Sequence, residues 1–114
     1  MTPQLEQALV ALASGPAQKE LGSSVQLKVD TVKAEGPWAL VVANLKDADG
    51  KPFNYAQTSY AEGAREGFVS HRYAALLRDR NGTWELVTSV IGPTDPAWLA
   101  WTEHGAPESL LTVG

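Results

Sequence analysis

The sequence predicts an α+β domain: an N-terminal helix packed on a curved antiparallel sheet of four or five strands, followed by a short C-terminal helix. Three observations support this prediction. Leu5, Leu9 and Leu12 recur at helical spacing. Short runs of strand-forming residues then alternate with turn signals. Between two of these runs lies Asn81-Gly82, which is typical of a type I′ hairpin because both central residues of that turn need positive φ.

The N-terminal helix is predicted over residues 2–13. Thr2 is a suitable N-cap, and Pro3 is favourable at the first helical position, where the missing N–H costs nothing. Residues 14–16, Ser-Gly-Pro, are expected to end the helix. A short helical turn is predicted at 16–21.

The middle of the chain is predicted to be mostly strand. Residues 25–33 begin with alternating apolar and polar side chains, whereas 38–45 is apolar on both faces and therefore suits a central strand. Residues 52–60 are interpreted as a further strand. Residues 61–70 show no clean period and are interpreted as a loop or irregular edge.

The hairpin turn fixes a register, since a two-residue loop determines every later pair. Leu77 then lies opposite Leu86 on the expected core face. Arg78 lies opposite Glu85 on the other, mixed face, as a favourable charge pair. The remaining predicted pairs are Arg80/Thr83, Asp79/Trp84, Leu76/Val87, Ala75/Thr88, Ala74/Ser89 and Tyr73/Val90.

A short helix is predicted after the hairpin. Asp95 is its expected N-cap, Pro96 its first residue and Gly105 its C-cap. Trp98 and Trp101, three residues apart, would share one face of it.

The composition argues against several classes of function. The chain of 114 residues is one domain, its net charge is −4, and it has no cysteine. The acidic balance argues against nucleic-acid binding, and the lack of cysteine excludes disulfides and thiolate chemistry. We expect no cofactor, no metal and no membrane span. With no leader at its start we expect a cytoplasmic protein, or a bacterial exported type if a leader has been removed.

The element order carries a family resemblance. A leading helix, a strand opening with Trp38-Ala39 and a late hairpin LLRDRNGTWELV over 76–87 resemble the cystatin-like or NTF2-like group of small α+β domains. The cystatin-like form implies a flat sheet without a deep pocket. The NTF2-like form implies a pocket in which a small enzyme could act.

The first functional hypothesis is a non-enzymatic binding or protein-interaction module, expected to form a homodimer and to bind a protein or a small molecule. No catalytic motif is present, and four tryptophans are a high number for this length; a tryptophan combines a large area with a polar tip, which suits recognition. Trp98 and Trp101 are the leading candidates for recognition or dimer contact. The candidate binding residues are Tyr55, His71, Tyr73, Trp84, Trp98 and Trp101.

The alternative is a small pocket enzyme, an isomerase or hydratase that transfers a proton. Tyr55, His71, Tyr73 and Asp79 would be its candidate residues. His71 and Asp79 form the sharpest acid–base pair, but eight residues along a strand separate them by about 26 Å. No residue is therefore assigned a catalytic role.

Overall fold

A computed structural model describes residues 1–113 and shows a helix packed on an open antiparallel sheet. The sheet has four strands in the order β1-β2-β3-β4, which confirms the predicted α+β class. The elements are α1 (Pro3–Leu21), β1 (Gln26–Glu35), β2 (Trp38–Lys46), a 3₁₀ turn (Tyr55–Gln57), α2 (Ala61–Arg65), β3 (Arg72–Arg80), β4 (Thr83–Ile91), a 3₁₀ helix (Ala97–His104) and α3 (Glu108–Leu111).

Helix α1 begins as predicted and ends later. The Thr2 side chain accepts a hydrogen bond from the Leu5 N–H at 3.1 Å, which confirms the N-cap. The predicted end at 14–16 is wrong, because the helix continues through Pro16 to Leu21. An internal proline costs about 3 kcal/mol. Burial of Ala17 and Leu21 on the sheet offsets that cost.

The Asn81-Gly82 hairpin is confirmed, with φ of +57° and +88° at the two turn residues. The predicted register holds from the turn to Leu77/Leu86 and then shifts by one residue. Beyond that bulge Tyr73 pairs with Ile91, so the later predicted pairs are wrong. The shift places Ile91 on the helix-packed face of the sheet and Val90 on the opposite face.

The cross-strand charge pair also differs from the prediction. Arg78 lies opposite Glu85 in the register, but the Glu85 carboxylate pairs with Arg80 at 3.2 Å. The Arg78 guanidinium instead lies 5.1 Å from the centre of the Trp38 ring, where a cation–π contact is favourable.

Both faces of the two central strands are buried. The face that packs on α1, here called the helix face, contributes alternate residues of β2 and β3 to one core. The other, here called the C-terminal face, is covered by the chain after Gly92. The helix-face core comprises Leu9, Ala13, Ala17, Leu21, Val25, Ala39, Val41, Leu45, Phe53, Tyr55, Tyr73, Ala75 and Leu77. The C-terminal core comprises Trp38, Leu40, Val42, Ala74, Leu76, Trp98, Trp101, Ala106, Leu110 and Leu111.

Two expectations for the chain between β2 and β3 are wrong. Residues 52–60 form no strand beyond a single bridge between Pro52 and Lys46, and residues 61–65, predicted as loop, form α2. The Asn54 side chain accepts from the Ala56 N–H at 2.9 Å, and the Thr58 hydroxyl accepts from the Tyr60 N–H at 3.1 Å. Such local bonds compete with strand pairing and favour turns and helix starts.

The C-terminal segment is helical as predicted, but its main element is a 3₁₀ helix rather than an α-helix. Gly105 ends it in the left-handed conformation, with φ of +96°. Asp95 provides no side-chain cap; its carbonyl accepts from the Ala97 N–H at 2.8 Å. Residues i and i+3 of a 3₁₀ helix lie in line, so Trp98 and Trp101 share a face, which lies against the sheet.

Candidate functional site

A cleft of about 370 Å³ opens between the start of β3 and the chain that precedes it. We call it the α2 cleft. Its apolar lining is formed by Phe53, Tyr55, Ala56, Ala61, Ala64 and Val69. Its polar lining is formed by Asn54, Arg65 and His71. An apolar pocket with a few convergent polar groups is the usual form of a small-molecule site.

The floor of the α2 cleft belongs to the core of the molecule. Phe53 and Tyr55 are buried members of the helix-face core, and their rings meet edge to face with centroids 5.4 Å apart. The Tyr55 ring also stacks on the His71 imidazole, at 5.7 Å and an interplanar angle of 25°. The floor is therefore held by packing on β2 and β3, and His71 is held by the floor.

The Tyr55 hydroxyl is engaged in structure. It donates to the Ser70 carbonyl at 2.6 Å. Burial, with a smaller contribution from Tyr60, raises the pKa of Tyr55 to about 12. A phenol with this pKa and an internal acceptor is a poor acid or base near neutral pH.

One wall of the cleft depends on two glycines. A Cβ at Gly63 would lie 2.9 Å from a Val69 methyl carbon, and a Cβ at Gly92 would lie 2.2 Å from the other. Gly92 also has φ of +70° and sits against the Ser70 backbone. The close approach of these backbones fixes Val69. Phe68, its neighbour in the sequence, is 74% exposed.

The two basic side chains of the cleft are exposed to solvent, and the polar atoms of both lack partners in the part of the chain that the structure describes. Within residues 1–113, neither the Arg65 guanidinium nor the His71 ring makes a hydrogen bond or an ion pair. The arginines of β3 differ. Arg72 pairs with Asp30 at 3.1 Å and Arg80 pairs with Glu85 at 3.2 Å. Elsewhere in the described chain, Lys19, Lys28, Lys46 and Lys51 also make no ion pair; Arg65 differs from them because it lines the α2 cleft.

The structure brings together only two of the six predicted binding residues, Tyr55 and His71. Tyr73 is fully buried on the helix face, where its hydroxyl donates to the Ala13 carbonyl at 2.7 Å and burial raises its pKa. Trp84 packs half-buried at the edge of the same core. Trp98 and Trp101 are 6% and 7% exposed under the C-terminal face.

Asp79, the fourth residue of the enzyme hypothesis, lies at the opposite end of β3 from His71. Its carboxylate accepts from the Gly82 N–H at 2.9 Å and so supports the hairpin turn. Tyr73 lies in the core, so the four proposed catalytic candidates do not share a site.

Sequence reasoning missed several residues of the cleft, namely Phe53, Ala64, Arg65 and Val69. They lie where a strand and a loop were expected. The available signals were Asn54 and Thr58, residue types that favour caps and turns, each followed within a few residues by short helical structure.

Among the residues that the structure describes, no group of three or more histidine or carboxylate side chains could hold a metal ion. Over the same range, none of the helices combines the length and apolar character needed to cross a membrane. The α2 cleft therefore offers aromatic, apolar and basic groups as its chemistry.

No family model, no curated protein and no solved structure matches this chain.

Proposed function

We propose that the protein is a non-enzymatic binding module whose ligand site is the α2 cleft. The observation that carries the proposal is the coincidence of an aromatic floor with two basic side chains that make no hydrogen bond or ion pair within residues 1–113. Both faces of the central strands are covered, so the cleft is where the core meets solvent through a concave surface.

Packing supports a preformed site. The floor residues Phe53 and Tyr55 share a core with the fully buried Leu9 and Ala13 of α1. The hydrogen bond from Tyr55 to the Ser70 carbonyl ties the floor to the start of β3. A site held by rigid elements loses little entropy when a ligand binds.

The resemblance to cystatin-like or NTF2-like domains stays a proposal, supported by the order of a helix and an antiparallel sheet. Leu9, Ala13 and Ala17 of α1 are fully buried against the sheet. They fill the space in which an NTF2-like pocket would lie, and this favours the flatter cystatin-like form.

A pocket enzyme is the second candidate, and the adjacency of Tyr55 and His71 in the α2 cleft is the observation in its favour. It is the weaker proposal. The Tyr55 hydroxyl is committed to the Ser70 carbonyl, and Asp79 lies beyond reach at the hairpin turn. Proton transfer would then rest on His71 alone.

The expected homodimer is also a proposal. The edge strand β4 exposes Leu86 and Val87, each 37% accessible, and carries only one charged residue, Glu85. A long edge with few charges is suited to pairing with a second strand. Light scattering after size exclusion should give twice the chain mass at high micromolar concentration; a monomer would contradict this part.

The binding proposal can be tested with a survey of small aromatic and aliphatic fragments, followed by NMR of the labelled protein. We expect some fragments to shift the amide resonances of Ala61, Ala64 and Val69. Ala56→Phe places a ring in the cleft and should abolish those shifts, whereas Ala100→Phe, on the exposed side of the C-terminal 3₁₀ helix, should not.

Two outcomes would overturn the binding proposal. One is that no fragment in the survey shifts the cleft resonances of the native protein. The other is that the shifts persist in Ala56→Phe, which would place binding elsewhere.

A further inference from the structure

The α2 cleft carries a more specific inference about its ligand, which rests on the proposed binding function. We infer that it binds a small aromatic carboxylic acid, with the ring on the Phe53–Tyr55 floor and the carboxylate directed to Arg65 and His71.

The chain as a whole is acidic, whereas the α2 cleft is lined by two basic side chains. The net charge is −4, so a generic surface of this protein repels anions. Arg65 and His71 nevertheless line one cleft together. Glu62 and Glu66 flank Arg65 in the sequence, yet neither carboxylate comes within ion-pair distance of its guanidinium. The guanidinium is thus available to an outside anion.

The chemistry of the two groups suits an oxyanion, of which a carboxylate is the smallest common kind in a ligand. A guanidinium presents a planar fork of N–H donors that matches the two oxygens of a carboxylate. The His71 ring, held against Tyr55 by stacking at 5.7 Å, presents a further donor in a fixed orientation. Together they would offer an anion in the cleft donors from two different side chains.

The aromatic floor and the volume of the cleft indicate what the rest of the ligand is. Phe53 and Tyr55 are 7% and 3% exposed and reach the cleft only through the parts of their rings that line it. The two rings are already arranged edge to face, a geometry that a further ring can extend. A volume of about 370 Å³ lies at the small end of ligand sites, which begin at about 300 Å³. One ring with a short acidic arm fits this space better than a long chain.

The experiment compares three compounds of nearly equal shape: phenylacetate, phenylacetamide and phenethylammonium. Each is titrated by NMR into the native protein, into Arg65→Gln and into Arg80→Gln. Arg80→Gln is the matched control, because Arg80 lies on β3 and pairs with Glu85 of β4. We expect phenylacetate to bind more tightly than the other two. Arg65→Gln should weaken phenylacetate about fivefold, the scale of one exposed ion pair, and leave phenylacetamide unchanged.

Arg80→Gln should leave all three affinities unchanged, because Arg80 lies outside the cleft. His71→Gln should weaken phenylacetate more than phenylacetamide. These results together would support an anionic ligand.

Other results would overturn the inference and spare the binding proposal. Equal affinity for all three compounds, with the shifts lost in Ala56→Phe, would show a cleft that selects apolar shape without charge. Preference for phenethylammonium would reverse the assigned charge. Absence of cleft shifts with all three, while other fragments bind there, would exclude the aromatic acid. A fragment survey without any cleft ligand, or shifts that persist in Ala56→Phe, would remove both proposals.

Discussion

The two faces of the sheet are buried by different means. On the helix face one long helix supplies Leu9, Ala13, Ala17 and Leu21 at regular spacing of four residues, all buried. On the C-terminal face short irregular elements supply the large aromatics Trp98 and Trp101, which belong to the same core as Trp38 of β2. A regular helix reaches this burial with two leucines and two alanines, whereas the irregular chain on the other face buries two tryptophans.

The difference extends to polar contacts. The C-terminal segment is tied to β1 through Ser109, whose carbonyl accepts from the Lys33 ammonium at 2.6 Å and whose hydroxyl donates to Glu35 at 2.5 Å. On the helix face, α1 is joined to β3 by the hydrogen bond from the Tyr73 hydroxyl to the Ala13 carbonyl. The helix face also continues into the α2 cleft through Phe53 and Tyr55, while the C-terminal face is closed by its tryptophans.

The largest expected effect tests whether the two faces are equally part of the core. Leu9→Ala and Leu110→Ala each remove a fully buried side chain, one on each face. Each should lower the free energy of unfolding by about 2–5 kcal/mol, measured by urea denaturation. We expect similar values, because both leucines are at zero exposure.

If the C-terminal segment were only loosely attached, Leu110→Ala would cost far less than Leu9→Ala or would reveal a separate transition at low urea. Either result would contradict the description of two equivalent cores.

The next effect concerns the wall of the α2 cleft. Gly92→Ala places a Cβ 2.2 Å from a Val69 methyl carbon on a backbone with φ of +70°. Overpacking and strained φ each cost about 1–3 kcal/mol, so we expect a loss of about 2–4 kcal/mol in denaturation. Gly15→Ala is the matched control: its Cβ meets nothing within 4 Å, and in a helix it should stabilise by about 0.5–1 kcal/mol. A neutral Gly92→Ala would show that Val69 can move freely.

The elements that the sequence predicts are those fixed by local interactions, and the ones it does not predict depend on tertiary contacts. The hairpin was predictable because Asn81-Gly82 satisfies a local dihedral demand that no tertiary contact has to supply. The end of α1 was not predictable, because Pro16 is typical of a helix end. Only the burial of Ala17 and Leu21 on the sheet keeps the chain helical beyond it. The bulge opposite Leu76 likewise depends on which side chains the two cores accept.

The α2 cleft was only partly predictable. Tyr55 and His71 stood out as aromatic and titratable residues, but Arg65 and Val69 became site residues only through α2. The tryptophans were predicted to serve recognition, because residue type alone does not show whether an indole faces solvent or packs on the sheet. Trp98 and Trp101 lie opposite the sheet, a long-range relation that residue type does not encode.

Tyr55 provides an alkaline test of the helix face. Its pKa is raised from 10.0 to about 12 in the folded protein, so the folded state holds the proton more tightly than the unfolded chain. The resulting stability is fully present below pH 10 and is lost as pH rises through about 12. The loss should be about 2 kcal/mol, measured by urea denaturation at stepped pH.

Tyr55→Phe should flatten part of this alkaline slope. Tyr73, whose pKa burial also raises, should retain a slope of its own. A Tyr55→Phe protein with the native pH profile would show that the Tyr55 phenol ionises as freely in the folded state as in the unfolded chain.

The smallest expected effect separates two neighbouring tryptophans of the C-terminal face. The Trp98 indole N–H is buried without a hydrogen-bond partner among the described residues, and Trp101 does not share this condition although its exposure is nearly the same. Trp98→Phe and Trp101→Phe each leave a void of similar size, but only Trp98→Phe removes an unsatisfied donor, which costs about 1–3 kcal/mol. In urea denaturation Trp98→Phe should therefore be less destabilising than Trp101→Phe by about 1 kcal/mol. The reverse order would mean that the Trp98 N–H is satisfied in solution, by water reaching the C-terminal core, and that this face is more open than the helix face.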